Sequence, residues 1–261
     1  MRDAQQIIET AHEMADAARA AILPLFRNAD LIADNKRAAG FDPVTEADRA
    51  GETAMRAVLA RRRPQDAILG EEFGLSDGDS GLTWILDPID GTRAFLCGAP
   101  SWGVLIGLGD GHGIRYGLID QPYTRERFEG GLGRAQLTGP GGRRRLAVRR
   151  DALLADATLM TTFPEIGTPA EANAFRRVAD RVRLTRYGLD CYAYALLALG
   201  HVDLVIEAGL QPYDIAGPLA VVEAAGGIVT DWQGGPAAQG GQVIAAATAS
   251  LHREALAYLN G

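Results

Sequence analysis

Ten residues, Trp84-Ile85-Leu86-Asp87-Pro88-Ile89-Asp90-Gly91-Thr92-Arg93, restrict this chain more than any other stretch. A short apolar run ends in two carboxylates three positions apart, followed by a glycine and a threonine. That is the order in which a buried strand delivers ligands to a metal and then turns into a helix start able to hold phosphate. Pro88 biases Asp87 toward an extended backbone, and Gly91 allows close approach to a ligand. A strand, an acidic turn and a helix cap would explain the same residues with no ligand at all. The choice between these readings rests on what the rest of the chain supplies.

With 261 residues, 47% of them hydrophobic and 23% charged, the chain can bury a sizeable core without disulfides. No apolar run approaches the roughly 20 residues that a membrane span requires. Asp3, Glu9 and Glu13 interrupt the region where an export signal would need an apolar stretch. A cytoplasmic protein with no membrane partner is expected. A net charge of −7 argues against nucleic acid as a partner. Cys97 and Cys191 stand far apart without metal-spaced neighbours and read as reduced, mostly buried thiols. His12, His112, His201 and His252 are scattered singly, which suits surface or capping positions better than ligation.

Residues 4–26 place apolar side chains at spacings of three and four, as an amphipathic helix does. After Gly40-Phe41-Asp42-Pro43-Val44, a helix is expected from Glu46 to Arg62, with Thr45 and Asp48 spaced as a cap. One strand stops at Glu71 and the next, Leu82–Leu86, at Asp87 and Asp90. Two successive strands ending in carboxylates suggest one site built from neighbouring strand ends. Residues 102–135 read as an antiparallel meander. Gly139-Pro140-Gly141-Gly142 reads as a flexible boundary, and Arg143-Arg144-Arg145 as a solvated edge. This divides the chain into an α+β lobe, 1–138, and an α/β lobe, 139–261. In the second lobe strands at 158–161, 182–185, 202–207, 227–230 and 242–246 alternate with helices at 169–180, 190–199, 213–225 and 251–259. Such alternation argues for a sheet covered on both faces.

Asp214, in Gln211-Pro212-Tyr213-Asp214-Ile215, sits at the start of an apolar helix and reads either as a cap or as a ligand. As a ligand it completes an oxygen-only set with Glu71, Asp87 and Asp90. Without His or Cys, that set suits Mg²⁺ or Mn²⁺ rather than zinc. Two such ions about 4 Å apart would clamp a phosphate and lower the pKa of a bound water.

Together, Glu71 after Gly70, the run Asp87-Pro88-Ile89-Asp90-Gly91-Thr92, Asp48 in its Asp42–Asp48 phrase and the late Asp214 resemble the inositol monophosphatase superfamily. The resemblance implies a layered αβαβα fold and a Mg²⁺-dependent phosphatase acting on a small phosphate monoester. It further implies two or three ions per site, and a homodimer in which the apolar meander supplies the interface. It makes Glu71, Asp87, Asp90, Asp214 and the Ile89 carbonyl metal ligands, with Gly91 and Thr92 holding phosphate. Thr92, paired with Asp48, would activate the attacking water together with Glu71, which competes with the capping reading of Asp48. Gly40-Phe41-Asp42-Pro43-Val44-Thr45-Glu46-Ala47-Asp48, Gly188-Leu189-Asp190-Cys191-Tyr192-Ala193-Tyr194 and Pro212-Tyr213-Asp214-Ile215-Ala216 are most similar to the branch that hydrolyses histidinol phosphate, although the inositol phosphatase pattern usually has Trp-Asp at the late motif. There Gly188, Asp190 and Glu207 would contact the substrate, two extra acids suiting a cationic amine or imidazole. An N-cap for Asp190 and a strand-end charge for Glu207 are the alternatives. Inositol phosphate is the first rival substrate, ahead of sugar or nucleotide bisphosphates, and a non-catalytic phosphate-binding module is the rival of another class.

Overall fold

The structure is a computed structural model that describes residues 2–28, 33–35 and 43–261. The phrase Gly40-Phe41-Asp42 and Lys36 lie outside the described residues. Helix α1 (Arg2–Ile22) buries Ile7, Ile8, Ala11, Met14, Ala15, Ala18 and Ile22, the stripe its periodicity predicts. It packs on α2 (Glu46–Arg62), which follows a small ribbon of β1 (Ala33–Asn35) and β2 (Pro43–Thr45). Together α1 and α2 cover one face of an eight-stranded sheet.

That sheet comprises β3 (Ala67–Gly70), β4 (Gly74–Ser76), β5 (Thr83–Asp90), β6 (Gly103–Asp110), β7 (Gly113–Gln121), β8 (Glu126–Gly131), β9 (Arg134–Gly139) and β10 (Gly142–Arg145). A short helix, α3 (Thr92–Leu96), follows β5. The order is β10-β9-β8-β7-β6-β5-β3-β4, with only β3 and β5 parallel. Val104, Ile106 and Leu108 of β6 pack in the α1–α2 core, while the alternating Leu105 faces the other way. The meander expected to supply an interface is thus consumed by the fold, its apolar side chains covered from both sides. The segment expected to be a flexible boundary is a hairpin: Pro140 and Gly141 form its tip, and Gly142 takes the left-handed backbone (φ +90) that closes it. The first sheet therefore runs on to Arg145, past the division expected after residue 138.

The second sheet holds β11 (Thr158–Thr161), β12 (Leu184–Tyr187), β13 (Leu204–Leu210), β14 (Ile228–Thr230) and β15 (Gly241–Ala246), ordered β12-β11-β13-β15-β14. It is flanked by α4 (Pro169–Ala179) and α7 (Ala249–Leu259) on one side and by α5 (Tyr192–Ala198) and α6 (Pro212–Ala224) on the other. Strand β12 starts two residues later than expected, because the Arg181 N–H still closes back on the Val178 carbonyl at 2.9 Å and prolongs the turn after α4. The layers are α, β, α, β, α, as the resemblance implied.

The middle layer positions the site. Ile215 to Val222 of α6 are all buried because this helix lies between two sheets and has no wet face. Gly107, Gly117 and Gly130 are direct neighbours across β6, β7 and β8. A Cβ on Gly107 would meet the Ala216 side chain at 2.6 Å, and one on Gly117 or Gly130 would strike the α6 backbone. This glycine row lets α6 sit directly on the sheet, and the register of Asp214 follows from that seat.

Candidate active site

Three neighbouring strand and helix ends deliver the acids. In β5 the spacing of Asp87 and Asp90 would put their side chains on opposite faces of a regular strand. The pairing with β6 shifts register between them, however, with Asp87 opposite Leu105 and Asp90 opposite Gly103. This bulge contains Pro88, which has no N–H to give to a ladder, and the Asp87 Oδ1 accepts the Ile89 N–H at 2.9 Å across it. Both carboxylates consequently face α6. Asp214, in the first turn of α6, completes a group of three whose ligand atoms lie within 4.8 Å of one another. Glu71 shares a hydrogen bond with Asp87.

Burial first, and then Glu71, Asp90 and Asp214, hold the Asp87 carboxyl well above the usual carboxylate range. Burial, then Asp190 and Asp214, do the same to Asp90, against the opposing Cys191 N–H bond at 2.6 Å. Among the described residues neither Asp87 nor Asp90 forms an ion pair with arginine. A divalent cation fits this set: its donors are all oxygen, it is crowded with like charge, and cation binding would relieve the repulsion.

Asp48 and Asp214 each cap a helix and at the same time stand beside the other acids and hydroxyls of the site. Asp48 Oδ2 accepts the Thr45 N–H at 2.8 Å and the Thr45 hydroxyl at 2.6 Å, a capping contact at the start of α2. Its Oδ1 remains for the Thr92 hydroxyl at 3.3 Å, which also lies 3.2 Å from the Ile89 carbonyl. Asp214 accepts the Gln211 N–H at 2.7 Å, capping α6 from its third position while also standing in the acid group.

Asp90, Gly91, Thr92, Asp190, Glu207 and Asp214 line one cleft of about 250 Å³. A recess of about 650 Å³ under Arg134 and Arg143–Arg145 is larger, but no carboxylate lines it and it lies at the opposite edge of the first sheet. Gly91 is left-handed (φ +84), and a Cβ there would meet the Asp190 carboxyl carbon at 2.8 Å, so only glycine lets the two segments touch. Asp190 is itself left-handed (φ +47), a conformation that a short polar side chain tolerates. The Ser101 hydroxyl lies 3.3 Å from both Asp190 Oδ2 and the Gly188 carbonyl. Gly188 thus shapes this turn and does not line the cleft. Burial pushes the Asp190 carboxyl up to about 6 and the Glu207 carboxyl up to about 7.

The model of the inositol monophosphatase family matches residues 3–260. The chain belongs to the inositol monophosphatase family. It is 34% identical to a histidinol-phosphatase of Streptomyces coelicolor, covering 100% of this chain and 99% of that protein. It is 40% identical to a bifunctional chloroplastic phosphatase of Arabidopsis thaliana, over 93% of this chain and 72% of that one. An inositol monophosphatase structure from Zymomonas mobilis superposes with a TM-score of 0.86 at 41% identity, covering 98% of each chain. This member of the family is a metal-dependent phosphomonoester hydrolase. No helix among its described residues is long and apolar enough to cross a membrane.

Sequence reading missed the residues that hold this phosphatase's acids in place. Glu52, fully buried on α2, accepts the Glu72 N–H at 2.7 Å and the Arg56 Nε at 2.7 Å, fixing the turn that presents Glu71. A carboxylate on the buried face of α2, four residues after Asp48 and four before Arg56, was the available signal. Thr161 and Thr162 hold Glu207, and no pattern in the sequence set them apart from ordinary strand residues. His12 and His252 are not free surface groups either: His12 bridges Glu129 and Arg127, and His252 meets the Thr230 hydroxyl at 2.8 Å.

Proposed function

We propose that this protein is a Mg²⁺-dependent histidinol-phosphate phosphatase, releasing histidinol and phosphate. The observation that carries this reading is the pair of extra acids, Asp190 and Glu207, in the same cleft as Gly91, Thr92 and the metal-type acid group. They lie where a substrate with phosphate at one end and cationic nitrogen at the other would place its positive charge. The 34% and 37% identities to histidinol-phosphatases of Streptomyces coelicolor and Mycobacterium tuberculosis support it.

In this reading Glu71, Asp87, Asp90, Asp214 and the Ile89 carbonyl hold two or three ions, with Mn²⁺ a workable substitute. Bound there, the ions supply positive charge against the phosphate oxygens and acidify a coordinated water. Gly91 and Thr92 hold the phosphate at the start of α3. Thr92 donates its hydroxyl hydrogen to Asp48 Oδ1, which turns its lone pairs toward the attacking water and orients it with Glu71 for in-line displacement. Asp48 stays in place because its other oxygen is tied to Thr45. Gly188 sets the turn that aims Asp190, and Asp190 and Glu207 receive the amine and imidazole end. The family resemblance also supports a homodimer, which light scattering would check.

Phosphate release from a panel of L-histidinol phosphate, inositol 1-phosphate, fructose 1,6-bisphosphate and adenosine 3′,5′-bisphosphate tests the assignment. A higher kcat/KM for histidinol phosphate is expected. A higher value for inositol 1-phosphate would give the site to the second reading, which the 41% identity to the Zymomonas inositol monophosphatase favours.

A further inference from the structure

Phe163 lines the cleft but has no task in the reaction as described. Phe163 is 42% exposed, although the residues just before it, Thr161 and Thr162, are tied to Glu207. Across the cleft mouth Arg93, from the first turn of α3, lays its guanidinium over the ring with 4.7 Å between the guanidinium carbon and the ring centroid. The stack joins the two sides of the site. Arg93 follows Gly91 and Thr92 on the phosphate side, and Phe163 adjoins Glu207 on the side of the selecting acids.

A phenyl face that holds a flat, delocalised cation is matched to another of the same shape. Guanidinium and imidazolium are both planar, singly charged and weakly hydrated compared with an ammonium group, and both gain from the negative face of an aromatic ring. A polyol ring has neither charge nor π system and gains only ordinary contact there. The platform therefore discriminates between the two substrate types that the family relationship leaves open.

We propose that Phe163 is a specificity-determining residue whose ring face, covered by the Arg93 guanidinium, receives the imidazole ring of the substrate in its place. The proposal rests on the histidinol phosphate reading. In it the phosphate lies at Gly91 and Thr92, the amine lies between Asp190 and Glu207, and the ring reaches the mouth of the cleft.

The test is steady-state kinetics of the wild type, Phe163→Leu and Phe163→Tyr in Mg²⁺, on L-histidinol phosphate and on glycerol 2-phosphate, with histidinol binding measured by calorimetry. Leucine keeps apolar bulk but removes the flat face. Phe163→Leu should raise KM for histidinol phosphate, and Kd for histidinol, about tenfold, while shifting KM for glycerol 2-phosphate by less than about twofold. Phe163→Tyr should restore wild-type values. Equal KM effects on both substrates, or none on either, would overturn the stacking role while leaving the substrate assignment intact. A wild type with no preference for histidinol phosphate would overturn both.

Discussion

At one end of the cleft Asp87 and Asp90 crowd against Glu71 and Asp214, and burial and mutual repulsion raise both carboxyls. At the other end Glu207 is just as buried, yet it receives three hydrogen bonds: the Thr162 N–H at 2.7 Å, the Thr162 hydroxyl at 2.9 Å and the Thr161 hydroxyl at 3.1 Å. The two ends solve the desolvation of an acid differently. One leaves like charges together, which is tolerable only if a proton or a cation joins them. The other satisfies a single acid with neutral donors and holds it near neutrality, so that it gains charge when a cation arrives. Buried carboxylates alone therefore do not define a metal site; what distinguishes the two is that Asp87 and Asp90 each take one backbone N–H amid like charges, whereas Glu207 is served by three donors over both of its oxygens.

The largest expected effect breaks the crowded end. Asp87→Asn removes one of the crowded charges proposed to hold the metal and should lower kcat/KM about a thousandfold or more. In chelator the variant should melt at or above the wild-type temperature, because a like charge has gone. Mg²⁺ should stabilise the wild type by mass action but no longer raise the melting temperature of the variant. Near-normal turnover in saturating Mg²⁺ would sink the assignment of Asp87. Chelation of the wild type should abolish turnover reversibly, Mg²⁺ restoring it, and activity in excess chelator would count against the metal set as a whole.

Next in size is a variant that touches no acid. Gly117→Ala places a Cβ 2.8 Å from that of Ala220 and against the Gly217 carbonyl, so α6 must lift from its glycine seat. A loss of about 1–3 kcal/mol in stability is expected from overpacking, together with a higher Mg²⁺ half-saturation because Asp214 moves with the helix. Calorimetric Mg²⁺ titration checks it. Unchanged Mg²⁺ affinity in a destabilised variant would show that Asp214 is positioned independently of that seat.

These two variants also mark how much of the protein was legible in its sequence. Helices α1 and α2, the strand-helix alternation of the second half and the acids Glu71, Asp87, Asp90 and Asp214 were readable, because each is local: a period of 3.6 or 2, an apolar run stopping at a charge, or an acid opening an apolar helix; Asp190 and Glu207 stood out only through the family resemblance. The bulge at Pro88 was not, since a one-residue offset exists only in pairing with β6. Nor was the glycine row, since Gly107, Gly117 and Gly130 become neighbours only when three strands align. The Gly139–Gly142 segment misled for a related reason: Gly and Pro mark a break in regular structure equally well for a linker and for a tight hairpin, and only the strands on either side decide.

At the donor-served end, Glu207→Gln separates stability from selection. Burial raises the folded-state pKa of Glu207 from 4.5 to about 7, so the folded protein holds this proton more tightly than the unfolded chain does. Stability contributed by the protonated form is complete below pH 4.5 and is lost as pH rises through about 7. Glutamine has no proton to lose. The variant should match the wild type near pH 4.5 and exceed it by about 3 kcal/mol near pH 8, as an order of magnitude from the shift. Denaturant midpoints at the two pH values decide it, and a pH-independent difference would remove the linkage. Its KM for histidinol phosphate should rise at least about tenfold near pH 8, where the wild-type acid is ionised.

Asp190→Asn is expected to have the smallest effect and asks the finest question. Asparagine accepts the left-handed backbone at this position at least as readily as aspartate, so the turn against Gly91 should survive, as alanine would not guarantee. The amide can keep the Ser101 contact at 3.3 Å, which leaves charge as the main thing changed. If Asp190 selects by charge, KM for histidinol phosphate should rise about five- to tenfold, and KM for inositol 1-phosphate by less than about twofold. Equal rises would make Asp190 a part of the phosphate-side architecture through its packing on Gly91, and selection by charge would then rest with Glu207 alone.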